Sequence, residues 1–192
     1  RPDKCSNYFA VVYECKSDLK IEFFMIYPII AYGDPVLKKK AQEIDKKYPK
    51  LKELIDDMFE TMYDSSGVGL AAPQIGLSIR LFVIDGAPFE EDPVKDFKEV
   101  FINAVIKEET GDLWKFNEGC LSIPSVREDV QRKPEVYIEY YDANWKLQKK
   151  TFDGMAARII QHEYDHIEGI LFTDRISPLR QRLIKNKLAN IS

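Results

Sequence analysis

The chain has 192 residues, 45% of them apolar and 31% charged, with a formal net charge of −4. That length suits one domain with a substantial core, and the mild acidity gives no basis for DNA binding. Three cysteines, Cys5, Cys15 and Cys120, are odd in number and too few for a disulfide scaffold, so a reducing, cytoplasmic setting fits them.

Residues 1–24 read as an N-terminal extension to which no function is assigned. Val11, Tyr13 and the Ile21-Phe23-Phe24 group can form a strand or belong to an organelle presequence remnant. From Met25 a single catalytic domain is expected to run to residue 192. The longest apolar run, Phe23 to Tyr32, is about half a bilayer-spanning length and contains Pro28. It is read as a buried opening strand, and no membrane partner is expected. Gly33-Asp34-Pro35 punctuates it.

Leu51, Leu54, Ile55, Met58, Phe59 and Met62 recur at helical spacing, predicting an amphipathic helix over 50–65. Ser65 to Gly76, with three glycines and Pro73, reads as a loop that bends tightly or approaches something closely. It lacks the spacing of a phosphate cradle. Strands are predicted at 79–85 and 100–106, with Glu90 to Pro93 as an exposed acidic loop between them. Glu135 to Tyr141 and Trp145 to Phe152 predict a hairpin. A helix from an Asp153 cap to Gly169 carries Met155, Ile159, His162, Glu163, His166 and Ile170 as one stripe. A last helix, Ser177 to Ile191, carries Leu179, Leu183, Ile184 and Leu188.

The chemistry concentrates in Gln161-His162-Glu163-Tyr164-Asp165-His166, which holds both histidines of the chain. Residues four apart share a helix face, so both imidazoles can reach one metal ion, with Glu163 beside it. This is the H-E-x-x-H pattern of metal-dependent hydrolysis. Two imidazoles buried in an otherwise apolar stripe are costly without a partner. A catalytic ion needs a third protein ligand and an open position. No third histidine exists, and after His166 the only acidic residues are Glu168 and Asp174. Cys120, in Glu118-Gly119-Cys120-Leu121-Ser122-Ile123-Pro124, is the remaining choice. A zinc endopeptidase using Glu168 or Asp174 stays open, as does a structural metal site or an inactive peptide binder.

Gly67-Val68-Gly69-Leu70-Ala71-Ala72-Pro73-Gln74, Glu118 to Ser122 and Gln161 to His166 together resemble, in order and approximate spacing, the three signature motifs of peptide deformylase. The resemblance runs from about Met25 to the C-terminus. It implies an α+β fold, with antiparallel sheets around the central helix that carries H-E-x-x-H. The terminal helix resembles the bacterial and organellar subtype.

The implied reaction removes the formyl group from the N-terminal formyl-methionine of new polypeptides, releasing formate through metal-activated water. The resemblance assigns Cys120, His162 and His166 to one divalent ion, with Fe²⁺ expected in the cell and Zn²⁺, Ni²⁺ or Co²⁺ as substitutes. Glu163 becomes general base and then general acid. The Gln74 amide and the Leu121 backbone N–H stabilise the developing oxyanion. Val68, Met155 and Ile159 correspond to the methionine pocket, with Gly119 and Arg127 nearby and Gly69 beside the substrate backbone. Formyl-methionyl nascent peptides are the implied partners. Arg175, Arg180, Arg182, Lys185 and Lys187 form a basic C-terminal set that reads as a solvated helix face or a ribosome contact. A bacterial cytoplasm is the expected location, or an organelle if residues 1–24 are a presequence remnant.

Overall fold

The structure, a computed structural model, describes residues 8–15, 18–90 and 92–191. Strands β1 (Tyr8–Cys15) and β2 (Asp18–Met25) form an antiparallel hairpin paired with no other strand. The opening-strand reading of Phe23 to Tyr32 needs correction. β2 stops at Met25, Phe23 is exposed, and residues 26–31 lie outside any strand. Their backbone instead bonds to the site-forming segments, Ile30 N–H to Gln74 O and Tyr32 N–H to Ser122 O.

Helix α1 (Leu51–Asp64) follows its sequence periodicity. The Gly-rich segment is not wholly loop: Gly69–Ala71 is an edge strand, β3, followed by a 3-10 turn over Ala72–Ile75. Next come β4 (Leu81–Asp85), β5 (Lys98–Thr110), β6 (Trp114–Cys120), β7 (Ile123–Arg132), β8 (Glu135–Tyr141) and β9 (Leu147–Asp153). Helix α2 (Gly154–Ile167) and helix α3 (Pro178–Ala189) complete the chain.

The main sheet is antiparallel, in the order β3-β4-β5-β8-β9, and β6-β7 is a separate hairpin. Strand parity explains the layers. On β4, Leu81 and Val83 face the α1 stripe, whereas Phe82 and Ile84 face α2 through Ile159, Ile160 and Ile167. A strand buried on both faces reads as an unbroken apolar run, as Leu81 to Ile84 does. A third apolar cluster joins Ile123, Val126 and Val130 of β7 to Ile184 and Leu188 of α3.

Two helix-end expectations are refined. Asp153 occupies the N-cap position of α2 but its side chain makes no capping bond; the chain enters through Gly154 at φ +54°. On α3 only Ile184 and Leu188 are buried, while Leu179 and Leu183 are exposed. Among the described residues, no helix is long and apolar enough to cross a membrane.

Candidate active site

Helix α2 supplies His162, Glu163 and His166 from consecutive turns, and the end of β6 brings Cys120 against them. One ligand atom from each of Cys120, His162 and His166 lies within 4.8 Å of the others. Cys120 Sγ is 3.3 Å from His166 Nε2. Glu168 pairs with Arg80 and Lys40, and Asp174 pairs with Lys38 and accepts the Leu171 N–H. Both acidic alternatives are thus committed elsewhere. The His162 Nδ1 faces Glu118 Oε2 at 3.0 Å, which leaves Nε2 available as a ligand. A thiolate with two neutral imidazoles fits a borderline divalent ion such as Fe²⁺ or Zn²⁺.

Glu163 is buried, and its Oε2 has no hydrogen-bond partner. Burial pushes its pKa up to about 7, because removal from water disfavours the carboxylate. A buried carboxylate oxygen without a partner is uncommon and calls for an explanation. It fits there because Gly69 lacks a side chain: a Cβ at Gly69 would lie 2.4 Å from Glu163 Oε1.

The turn after β3 fixes Gln74. Its Oε1 accepts the Ala71 N–H at 2.9 Å, so its amide NH₂ is turned toward Cys120 Sγ at 3.5 Å and Ser122 Oγ at 3.4 Å. This segment therefore holds a buried amide donor against the Cys120 sulfur.

A cleft of about 450 Å³ opens beside these groups. Every residue expected to touch substrate, Val68, Gly69, Gly119, Arg127, Met155 and Ile159, lines it, together with Gln74, Cys120, Leu121 and His162. Its lining is mostly apolar, as small-ligand clefts usually are. Phe89, Phe116 and Val126 also line it and were not identified from sequence. Arg127 is held by Asn117, through Nε to Oδ1 at 2.9 Å and through a second nitrogen to the backbone carbonyl. A Cβ at Gly119 would meet the Arg127 guanidinium at 2.8 Å.

Sequence reasoning also missed the charged groups behind the histidines. Glu118 is buried and accepts two bonds from Arg132, at 2.7 and 2.9 Å, and one from Arg158 at 2.9 Å, besides facing His162. Burial alone would raise its pKa, but the His162 and Arg132 bonds outweigh that and hold it well below the usual carboxylate range. A carboxylate of this kind fixes the tautomer and orientation of a ligating histidine. Its position two residues before Cys120 was the available signal, yet Arg132 and Arg158 have no local pattern that points to it.

The expected basic C-terminal set is divided by the structure. Arg175 pairs with Asp165 and Arg180 with Glu128, although both remain exposed. Arg182, Lys185 and Lys187 are exposed.

Residues 26–182 match the family model described as polypeptide deformylase. A peptide deformylase from Christiangramia forsetii is 63% identical, the match covering 88% of this chain and 90% of that protein. The crystal structure of a peptide deformylase from Legionella pneumophila superposes with a TM-score of 0.75 at 40% identity, covering 86% of this chain and 94% of that one. A peptide deformylase from Plasmodium falciparum gives a TM-score of 0.78 at 35% identity, covering 85% and 94%.

Proposed function

The chain belongs to the peptide deformylase family, whose enzymes remove the N-formyl group from nascent peptides, and from that premise we propose how its residues divide the reaction. Cys120, His162 and His166 hold one divalent ion, Fe²⁺ in the cell, replaceable by Zn²⁺, Ni²⁺ or Co²⁺ in a purified sample. Such an ion supplies Lewis acidity and lowers the pKa of water toward neutrality.

Glu163 removes a proton from water as its oxygen adds to the formyl carbon. It then delivers that proton to the departing nitrogen, so the C–N bond breaks to formate and a free amine. The Gln74 amide and the Leu121 N–H donate to the developing oxyanion; one such donor is worth about 10²–10³ in rate. Val68, Met155 and Ile159 receive the methionine side chain, with Gly69, Gly119 and Arg127 along the peptide backbone.

The observation that carries this reading is the buried, unpartnered Glu163 oxygen beside the Cys120–His162–His166 group, next to a mainly apolar cleft. Residues 25–192 form the catalytic unit in this proposal, since the family match begins at residue 26. The enzyme acts in a bacterial cytoplasm, on formyl-methionyl nascent chains, and Arg182, Lys185 and Lys187 are available for ribosome contact. Formate release from formyl-Met-Ala-Ser, measured anaerobically with each divalent metal in turn, tests the assignment. Turnover confined to the formylated peptide is expected; no turnover with any metal would overturn it.

A further inference from the structure

Behind the histidines lies a continuous chain of ion pairs that ends at the surface. Arg175 follows the 3-10 turn Phe172–Asp174, and its side chain is 40% exposed. Its Nε donates to Asp165 Oδ2 at 2.8 Å and a terminal nitrogen donates to Asp165 Oδ1, a two-point grip. The Asp165 side chain is only 3% exposed, and its Oδ2 also accepts from Arg132 at 2.7 Å. Arg132 places its other two nitrogens across both Glu118 oxygens, and Glu118 Oε2 faces His162 Nδ1.

We propose that Arg175 is a positioning residue for His162, acting through Asp165, Arg132 and Glu118. The argument is one of competition for a shared cation. Arg132 serves two buried carboxylates at once, and any gain by Asp165 is a loss for Glu118. Arg175 saturates Asp165 with a planar, two-bond grip that a lysine cannot reproduce. That leaves the Arg132 fork squared on Glu118, and Glu118 then holds the proton of His162 on Nδ1, with Nε2 free as a ligand. Without Arg175, Asp165 draws Arg132 toward itself, and Glu118, left with Arg158 on Oε1 alone, loses the two-point grip that fixes its orientation. The basic residue that sequence placed on a solvated face is thereby tied to the metal-binding face of α2.

The inference rests on the metal-site reading above, and its test separates the two. Arg175→Gln is compared with Arg175→Lys and with Lys40→Gln, which removes a surface ion pair to Glu168 at the end of the same helix. Because the chain has only two histidines, ¹H–¹⁵N spectra of the zinc-loaded protein report the His162 Nδ1–H and its hydrogen bond to Glu118. The parent is expected to show this proton far downfield and slow to exchange. Arg175→Gln should move it upfield and speed its exchange, with Arg175→Lys intermediate and Lys40→Gln unchanged.

Competition with a chelator should show cobalt binding weakened about three- to tenfold in Arg175→Gln. Loss of a direct outer partner of a metal ligand gives about 10–100-fold, and Arg175 acts at a further remove. In an Asp165→Asn background the same substitution should change neither readout further. An unchanged Nδ1–H signal and affinity in Arg175→Gln, or an undiminished effect in the Asp165→Asn background, would overturn the proposal. Failure of the parent to bind cobalt or zinc would count against the metal-site reading, whereas a parent that binds both and is matched by Arg175→Gln would overturn the role of Arg175 alone.

Discussion

Replacing Gly69 with alanine tests how closely the general base is placed. Gly69 lies in strand β3 and its φ is not in the left-handed region, so alanine suits its backbone. A Cβ there would lie 2.4, 2.7 and 2.8 Å from Oε1, Cδ and Cγ of Glu163. Gly69 is buried and pairs with Ile84 of β4, and the atoms it would meet belong to a side chain, so the carboxylate gives way first. Reaching an ordinary 3.4 Å contact moves Oε1 by about 1 Å. A misplacement of that size can cost about 10²-fold in rate, equivalent to about 2.7 kcal/mol of barrier. The assay is formate release at saturating formyl-Met-Ala-Ser, with metal content and melting temperature measured on the same samples. A 30- to 300-fold drop in kcat (about 10²-fold) at unchanged metal content is expected. A kcat within threefold of the parent would refute the claim that Gly69 sets the Glu163 position.

Other substitutions separate the remaining roles. Gln74→Ala should lower kcat about 10²–10³-fold, the usual loss of one oxyanion donor, with little change in metal content by elemental analysis. Glu118→Gln should weaken cobalt binding about 10–100-fold in chelator competition; parent-like affinity would mean that Glu118 does not orient His162. Gly119→Ala crowds the Arg127 guanidinium at 2.8 Å, so KM should rise more than kcat falls in peptide titrations. The cobalt-loaded parent is expected to show a thiolate-to-cobalt charge-transfer band in its absorption spectrum, and Cys120→Ala should abolish it.

The parts of this protein that were legible in its sequence are those whose signal is local. The α1 stripe and the His162–His166 spacing follow from helix periodicity alone. Cys120 was recoverable because few side chains can complete a ligand set with two histidines. The β6-β7 hairpin was hidden for a physical reason. Along β7 the buried positions Val126, Glu128, Val130 and Arg132 alternate, but two of them are charged, so the period-two apolar pattern is broken. Those charges are buried because distant partners satisfy them: Arg180 for Glu128, and Glu118 with Asp165 for Arg132. Pairings over tens of residues leave no mark in composition or spacing. The same holds for Arg175, whose membership in a basic run concealed its commitment to Asp165. On α3, Leu179 and Leu183 sit at helical spacing yet face outward, since only one narrow side of that helix meets β7. Gly69 reads in sequence as a point of close backbone approach, and its missing Cβ leaves the space that Glu163 fills.

The central claim is that Glu163 works as the proton carrier of a metal-dependent deformylase. Its most direct test is formate release by Glu163→Gln, loaded anaerobically with Fe²⁺ to the same metal content as the parent. The expected result is full metal binding with deformylation lost by at least about 10²-fold, the low end of what general acid–base catalysis contributes. Equal formate release by the variant and the parent at matched iron content would contradict the account.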